Sequence, residues 1–187
     1  MTRLINASDG DISNQELVAN CVFLLFAGQE TTTCLINNVI NAFLNNPEQL
    51  ALLRSKPNLI NNAVEECLRY DPPIQMVGRF ALGDIDLEEL KIKHKDHMYL
   101  FLGAAGWDPD VNPNPEVFNI ERENIKHLAF TRGTHHCLGA SLAKLEIKVV
   151  LEEMINGFSH LGFASPPTRR PTWLIRGFNK MSLRYTI

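Results

Sequence analysis

Several large classes of protein are excluded by what this sequence lacks. It has no excess of one charge: 18 Lys and Arg stand against 21 Asp and Glu, for a net charge of −3. Neither a nucleic-acid footprint nor a polybasic membrane patch follows from that balance. The longest apolar run, Cys21 to Ala27, is far too short to span a bilayer. The first residues, Met1 to Glu16, are too polar for a secretion signal. Cysteines occur only at 21, 34, 67 and 137, without a CxxC pair, so free thiols in a reducing, cytoplasmic setting are expected. Asn6-Ala7-Ser8 has the form of a glycosylation sequon, which carries no weight without a secretion signal. Internal repeats and low-complexity linkers are also missing.

What remains is a chain of 187 residues, 45% hydrophobic and 8% aromatic, enough for one domain with a core. Asp11 to Asn46 reads as one long helix, capped by Ser13 with Glu16 three residues on and stopped by Pro47. Glu48 to Ser55 and Leu59 to Tyr70 read as helices, the second ended by Asp71-Pro72-Pro73. Strands are expected at Gly78 to Leu82, Asp84 to Leu87 and Met98 to Leu102. Prolines and asparagines make Trp107 to Pro115 an ordered loop. A last helix is expected from Leu138 to Gly157, and a terminal strand pair after Pro166, Pro167 and Pro171. The order predicts a mainly α fold with small β-sheets.

Phe130-Thr131-Arg132-Gly133-Thr134-His135-His136-Cys137-Leu138-Gly139 carries the most specific chemistry. A glycine-bearing turn delivers Cys137 to the first turn of a helix. Unpaired N–H groups and the positive dipole end favour a thiolate there. Gly133 and Gly139 let the backbone pass close to a flat ligand, and such a thiolate can serve as an axial iron ligand. A buried structural cysteine is the plainer reading. A zinc site from His135, His136 and Cys137 is disfavoured, because adjacent residues rarely converge on one tetrahedral ion. His94 and His97 read as solvated residues of a charged loop.

Upstream, Ala27-Gly28-Gln29-Glu30-Thr31-Thr32 puts small residues, an acid and an alcohol in the middle of the long helix. The Thr31 hydroxyl can bond the carbonyl four residues back and loosen that turn. By themselves these residues read rather as a solvent-facing patch. Glu66 and Arg69 are three apart and share a helix face, as surface ion pairs often do. Arg79 begins a strand after the proline turn, where it reads as a surface charge.

These four segments, in this order, resemble the cytochrome P450 family. The Cys137 segment resembles its haem-thiolate loop, F-G-x-G-x-H/R-x-C-x-G. The resemblance implies the C-terminal portion of the P450 fold over one partial domain, residues 1–187, with the N-terminal half absent. It also implies haem b, with Cys137 as axial ligand and Arg79 and His135 as propionate partners. Ala27, Gly28, Phe130, Gly133 and Gly139 would line the cofactor. Glu30 and Thr31 correspond to the acid–alcohol pair of the central helix. Glu66 and Arg69 correspond to the buried E-x-x-R pair, and Arg122 to the arginine that joins it. The implied activity is insertion of one oxygen atom from O2 into an apolar substrate. Electrons would come from NAD(P)H through a ferredoxin- or flavodoxin-type redox partner.

The alternatives are a non-catalytic remnant of that fold and a zinc or thiol protein. Three local departures stand out. Thr131 replaces a glycine of the loop pattern, and a β-branched residue is costly at an unusual backbone angle. Ala105-Gly106-Trp107-Asp108 replaces an A-N-R-D segment, and Lys93-His94-Lys95-Asp96 replaces a P-x-G-type turn.

Overall fold

A computed structural model describes residues 12–187, so the Asn6 sequon lies outside the described residues. Helix α1, Asn14–Asn45, starts where the cap pattern places it. The Ser13 hydroxyl accepts the Glu16 N–H, and the Glu16 carboxylate accepts the Ser13 N–H at 2.9 Å. Each therefore satisfies a backbone donor the other leaves open. With 32 residues the helix runs about 48 Å at ~1.5 Å per residue. Pro47 cannot continue it and instead opens α2, Pro47–Ser55. A single 3-10 turn, Pro57–Leu59, leads into α3, Ile60–Tyr70.

Next come β1 (Val77–Phe80), β2 (Ile85–Leu87), β3 (Leu90–Ile92) and β4 (His97–Leu100). A short helix, α4 (Leu102–Ala105), precedes the long loop. A second 3-10 turn at Gly133–His135 precedes α5, Ala140–Asn156. The chain ends with β5 (His160–Phe163), β6 (Thr168–Arg169), β7 (Phe178–Lys180) and β8 (Leu183–Thr186). Among the described residues the strands form antiparallel pairs, β1 with β4, β2 with β3, β5 with β8 and β6 with β7.

One core joins the helices. Leu35, Val39 and Phe43 of α1 meet Val64 and Leu68 of α3, Ile147 and Leu151 of α5, and Phe118 and Ile120 of the loop. Phe43 and Phe118 pack edge to face with centroids 5.1 Å apart. Each such side chain contributes about 1.5–3 kcal/mol by leaving water. Ala129 and Phe130 lie against this core, so the segment leading to Cys137 is anchored to it.

The mainly α architecture with small sheets is as expected; several boundaries are not. The strand expected at Met98 to Leu102 stops at Leu100, because Leu102 already belongs to α4. β3 was not anticipated: its hairpin turns through Glu88, at φ 41°, a residue type that gives no turn signal. The last two strands do not pair with each other as expected: β7 pairs with β6, and β8 returns to β5. His97 is not in a loop: it lies on β4, stacked on Phe80 at 4.5 Å.

Candidate functional site

Glu66 and Arg69 are fully buried on α3. Arg69 Nε donates to Glu66 Oε2 at 2.7 Å and Nη2 to Oε1 at 2.8 Å, a bidentate pair. Arg69 Nη1 also donates to the carbonyls of Gly106 and Pro115. Arg122 Nε reaches Glu66 Oε2 at 3.1 Å, and its other nitrogens donate to the carbonyls of Pro113, Asn114 and Val117. The Asn119 N–H adds a further bond to Glu66. Two guanidinium groups thus fasten the irregular stretch from Gly106 to Arg122 onto α3. That stretch has no ladder of its own, so its carbonyls need these donors.

The cysteine loop follows directly. The Cys137 N–H donates to the Phe130 carbonyl at 3.0 Å, closing residues 130–137 into a ring. Inside it Thr131 sits at φ 57° and Gly133 at φ 73°. Glycine meets that conformation freely; a β-branched residue adopts it at a cost of about 1–2 kcal/mol. The Thr131 hydroxyl offsets part of this by donating to the His135 carbonyl. Arg132 through Gly139 are all exposed, His135 and Cys137 among them. Cys137 does not lie in the first helical turn as expected. It precedes α5 by a turn in which the Ala140 N–H donates to the Cys137 carbonyl at 3.3 Å. Buried Cys34 and Cys67 are different: burial pushes both thiols up, Cys67 strongly.

On α1 the Thr31 hydroxyl donates to the Ala27 carbonyl at 2.7 Å, the back-bond its position allows. No hydrogen bond joins Thr31 to Glu30. Glu30 faces the terminal strands instead, where Arg170 Nη1 donates to its carboxylate at 2.7 Å. Arg170 was not singled out from the sequence, since 140 residues separate it from Glu30 and no local spacing links them. Arg169 and Arg176, which clamp Asp71 at 2.6 and 2.8 Å, were missed for the same reason. Arg79, half-buried on β1, bonds its neighbour's carbonyl at Gly78 and stands apart from both clusters. An open cleft of about 470 Å3, lined by Tyr70, Asp71, Trp107, Arg169 and Arg176, includes none of the expected site residues. Among the described residues no three His, Cys, Asp or Glu side chains converge as a metal site would require.

A buried Glu-x-x-Arg pair joined by a second arginine, set behind a glycine-bearing loop with an exposed cysteine, is a specific combination. The Cytochrome P450 family profile matches residues 1–185. The chain belongs to the cytochrome P450 family. It is 41% identical over 175 residues to the biotin biosynthesis cytochrome P450 of Bacillus subtilis, covering 93% of this chain and 44% of that one. Cytochrome P450 107B1 of Saccharopolyspora erythraea is 37% identical, with 98% of this chain and 47% of that one covered. A crystal structure of P450BioI bound to an acyl carrier protein carrying hexadec-9Z-enoic acid superposes with a TM-score of 0.90 at 40% identity, covering 94% of this chain and 46% of that one. The bacillaene polyketide synthase cytochrome P450 PksS of Bacillus subtilis 168 gives 0.92 at 31%, covering all of this chain and 50% of that one. The P450 chain therefore spans about half the length of the relatives it matches.

The family implies a haem iron, and the residues present fit one. A side chain added at Gly28 or Gly133 would meet nothing within 4 Å, and one at Gly139 would sit 4.0 Å from the Cys137 sulfur. At Gly133 and Gly139 the backbone of the loop that carries the exposed thiol is thus bare, which suits the close approach of a flat ligand. No described helix is long and apolar enough to cross a membrane.

Proposed function

We propose that the chain is the thiolate-bearing portion of a cytoplasmic haem monooxygenase that inserts one oxygen atom from O2 into an apolar organic substrate. The observation that carries this reading is the cysteine loop: an exposed Cys137, its amide held by Phe130, ahead of α5 and behind the Glu66–Arg69–Arg122 network. Cys137 would ligate the iron of haem b through its sulfur, and Phe130, Gly133 and Gly139 would help to hold the cofactor. Arg79 and His135 would pair with the propionates as charge-assisted donors. When bound, the haem supplies oxygen activation, and thiolate ligation favours cleavage of the O–O bond.

The chain's second contribution would come from α1. Gly28 leaves room beside the helix, and the Thr31 hydroxyl back-bonds to the Ala27 carbonyl one turn before it. The Thr31 hydroxyl and Glu30 carboxylate would then hold and pass protons to that space. A neighbour solved with a fatty-acyl group on its acyl carrier protein supports an apolar substrate. Electrons would come from NAD(P)H through a ferredoxin- or flavodoxin-type partner.

Reconstitution tests the reading. Combined with a complementary N-terminal half and haem, the reduced protein under carbon monoxide should show the red-shifted Soret band of thiolate ligation. Cys137→Ala should abolish that band, and its survival would overturn the assignment. In the same preparation Thr31→Ala should retain haem yet divert electrons to hydrogen peroxide. Unchanged product yield per NAD(P)H would remove Thr31 from the relay.

A further inference from the structure

Behind the cysteine loop lies a second cluster that the reading above does not use. His127 is nine-tenths buried, and both of its ring nitrogens are engaged. Nδ1 accepts the Ala129 N–H at 3.2 Å. A backbone amide can only donate, so the ring proton sits on Nε2, which therefore donates to Glu65 Oε2 at 3.0 Å. Glu65 is fixed in turn, since Lys144 of α5 reaches its other oxygen at 2.6 Å. One carboxylate thus ties together α3, α5 and the segment entering the loop. The His127 bond is also the main reason the Glu65 carboxyl is held below the ordinary carboxylate range.

The connection runs on to the thiol. The His127 ring meets the edge of Phe130 at 6.2 Å, and the Lys144 ammonium lies over the same ring at 5.8 Å. The Thr131 N–H donates to the Leu128 carbonyl at 2.8 Å. The Phe130 carbonyl holds the Cys137 amide. Three fastenings, at Ala129, Thr131 and Cys137, thus follow one another along the chain, and the first of them is made to the His127 ring. Between them sits Thr131, in a conformation that persists only where its surroundings over-determine it. Past Thr131 the chain is exposed as far as Gly139, and its bonds there are internal to the loop or run to the start of α5. On the side before Thr131 the restraint comes from the His127 ring and the core.

We propose that His127, oriented by Glu65, is the positioning residue of the cysteine loop: it fixes the backbone ahead of Thr131 and so sets where Cys137 stands. This rests on the reading of Cys137 as the functional thiol, but its test does not require haem. His127→Phe keeps an aromatic ring in the packing and removes both hydrogen bonds. Glu65→Gln retains an oxygen that can accept from Nε2, whereas Glu65→Ala does not.

Amide hydrogen exchange on the 187-residue chain, kept dilute, reads the outcome at the Ala129, Thr131 and Cys137 amides. His127→Phe and Glu65→Ala should each speed exchange there by roughly three- to tenfold, the loss of about one hydrogen bond. Glu65→Gln should stay within about twofold of the parent, and amides of the α1–α5 core should not change. Unchanged exchange at Cys137 in His127→Phe would overturn the proposal. So would a uniform rise across the core, which marks a purely structural cluster, or a Glu65→Gln variant as fast as Glu65→Ala. Failure of the haem reading appears separately, as a carbon monoxide band that survives Cys137→Ala.

Discussion

The Glu66 network and the cysteine loop are neighbours built on opposite plans. In the first, Glu66 and Arg69 are fully buried, Arg122 is nearly so, and each guanidinium finds carboxylate or carbonyl partners within the chain. In the second, residues 132–139 are exposed and the backbone holds a threonine at φ 57°. The network is complete by itself. The loop presents its groups outward and draws its order from the segment behind it. A scaffold that is satisfied internally can hold an unsatisfied surface ready for a ligand.

The sharpest way to break this contrast is to open the network. Arg69→Ala leaves Glu66 buried with Arg122 alone and should cost about 3–5 kcal/mol. Chemical denaturation measures the loss, and a cost under about 0.5 kcal/mol would mean an ordinary surface pair. Glu66→Ala should be comparable, and the double variant far less than additive, because both break one unit.

Effects in the loop should be smaller. Thr131→Val keeps the strain and loses the hydroxyl bond, so it should destabilise by about 0.5–1.5 kcal/mol. Thr131→Gly relieves about 1–2 kcal/mol of strain. It loses the same bond and adds about 0.4–1 kcal/mol of unfolded-chain entropy, so its net change should stay within about 1 kcal/mol. Thermal melts of the two side by side separate strain from bonding.

Acid titration sharpens the comparison further. Glu65 is held below its ordinary range in the folded chain, first by His127 and then by Lys144 against the opposing effect of burial. A depressed carboxyl contributes stability above its unfolded pKa of ~4.3 and loses it as pH falls through the folded value. Below about pH 4.3 the parent should therefore lose stability more steeply than Glu65→Gln. Equal slopes would detach Glu65 from the fold's acid response. The smallest effect belongs to Cys137→Ser, a change at an exposed atom that should stay within about 0.5 kcal/mol in the chain without haem.

How much of this was legible depends on distance along the chain. Ser13 and Glu16, Glu66 and Arg69, and Thr31 and Ala27 lie three or four residues apart, where helix geometry dictates who meets whom. The departure at Thr131 was visible as a residue unsuited to its pattern, and the backbone there does adopt the left-handed angle. Illegible were the pairings that need tertiary knowledge: Arg170 with Glu30, Arg169 and Arg176 with Asp71, and His127 with Glu65. Each joins elements whose approach is set by the core rather than by any local period. The bounds of Cys137 moved for a related reason. Gly139 caps α5 without a side chain, so nothing in the residue types fixed where the helix begins.

The division of α1 has a consequence in time. Its buried positions begin at Cys34, while Val22, Phe23, Leu25 and Phe26 are each more than 60% exposed. The buried part depends on Ile147 and Leu151, which lie more than 100 residues further along the chain. During synthesis at about 5–20 residues per second, α1 therefore emerges several seconds before α5 exists to cover it. Its apolar first half gains no shelter even then within the described residues. The newborn chain thus passes through a sticky interval whose length the ribosome sets, with that helix as a surface for holding chaperones.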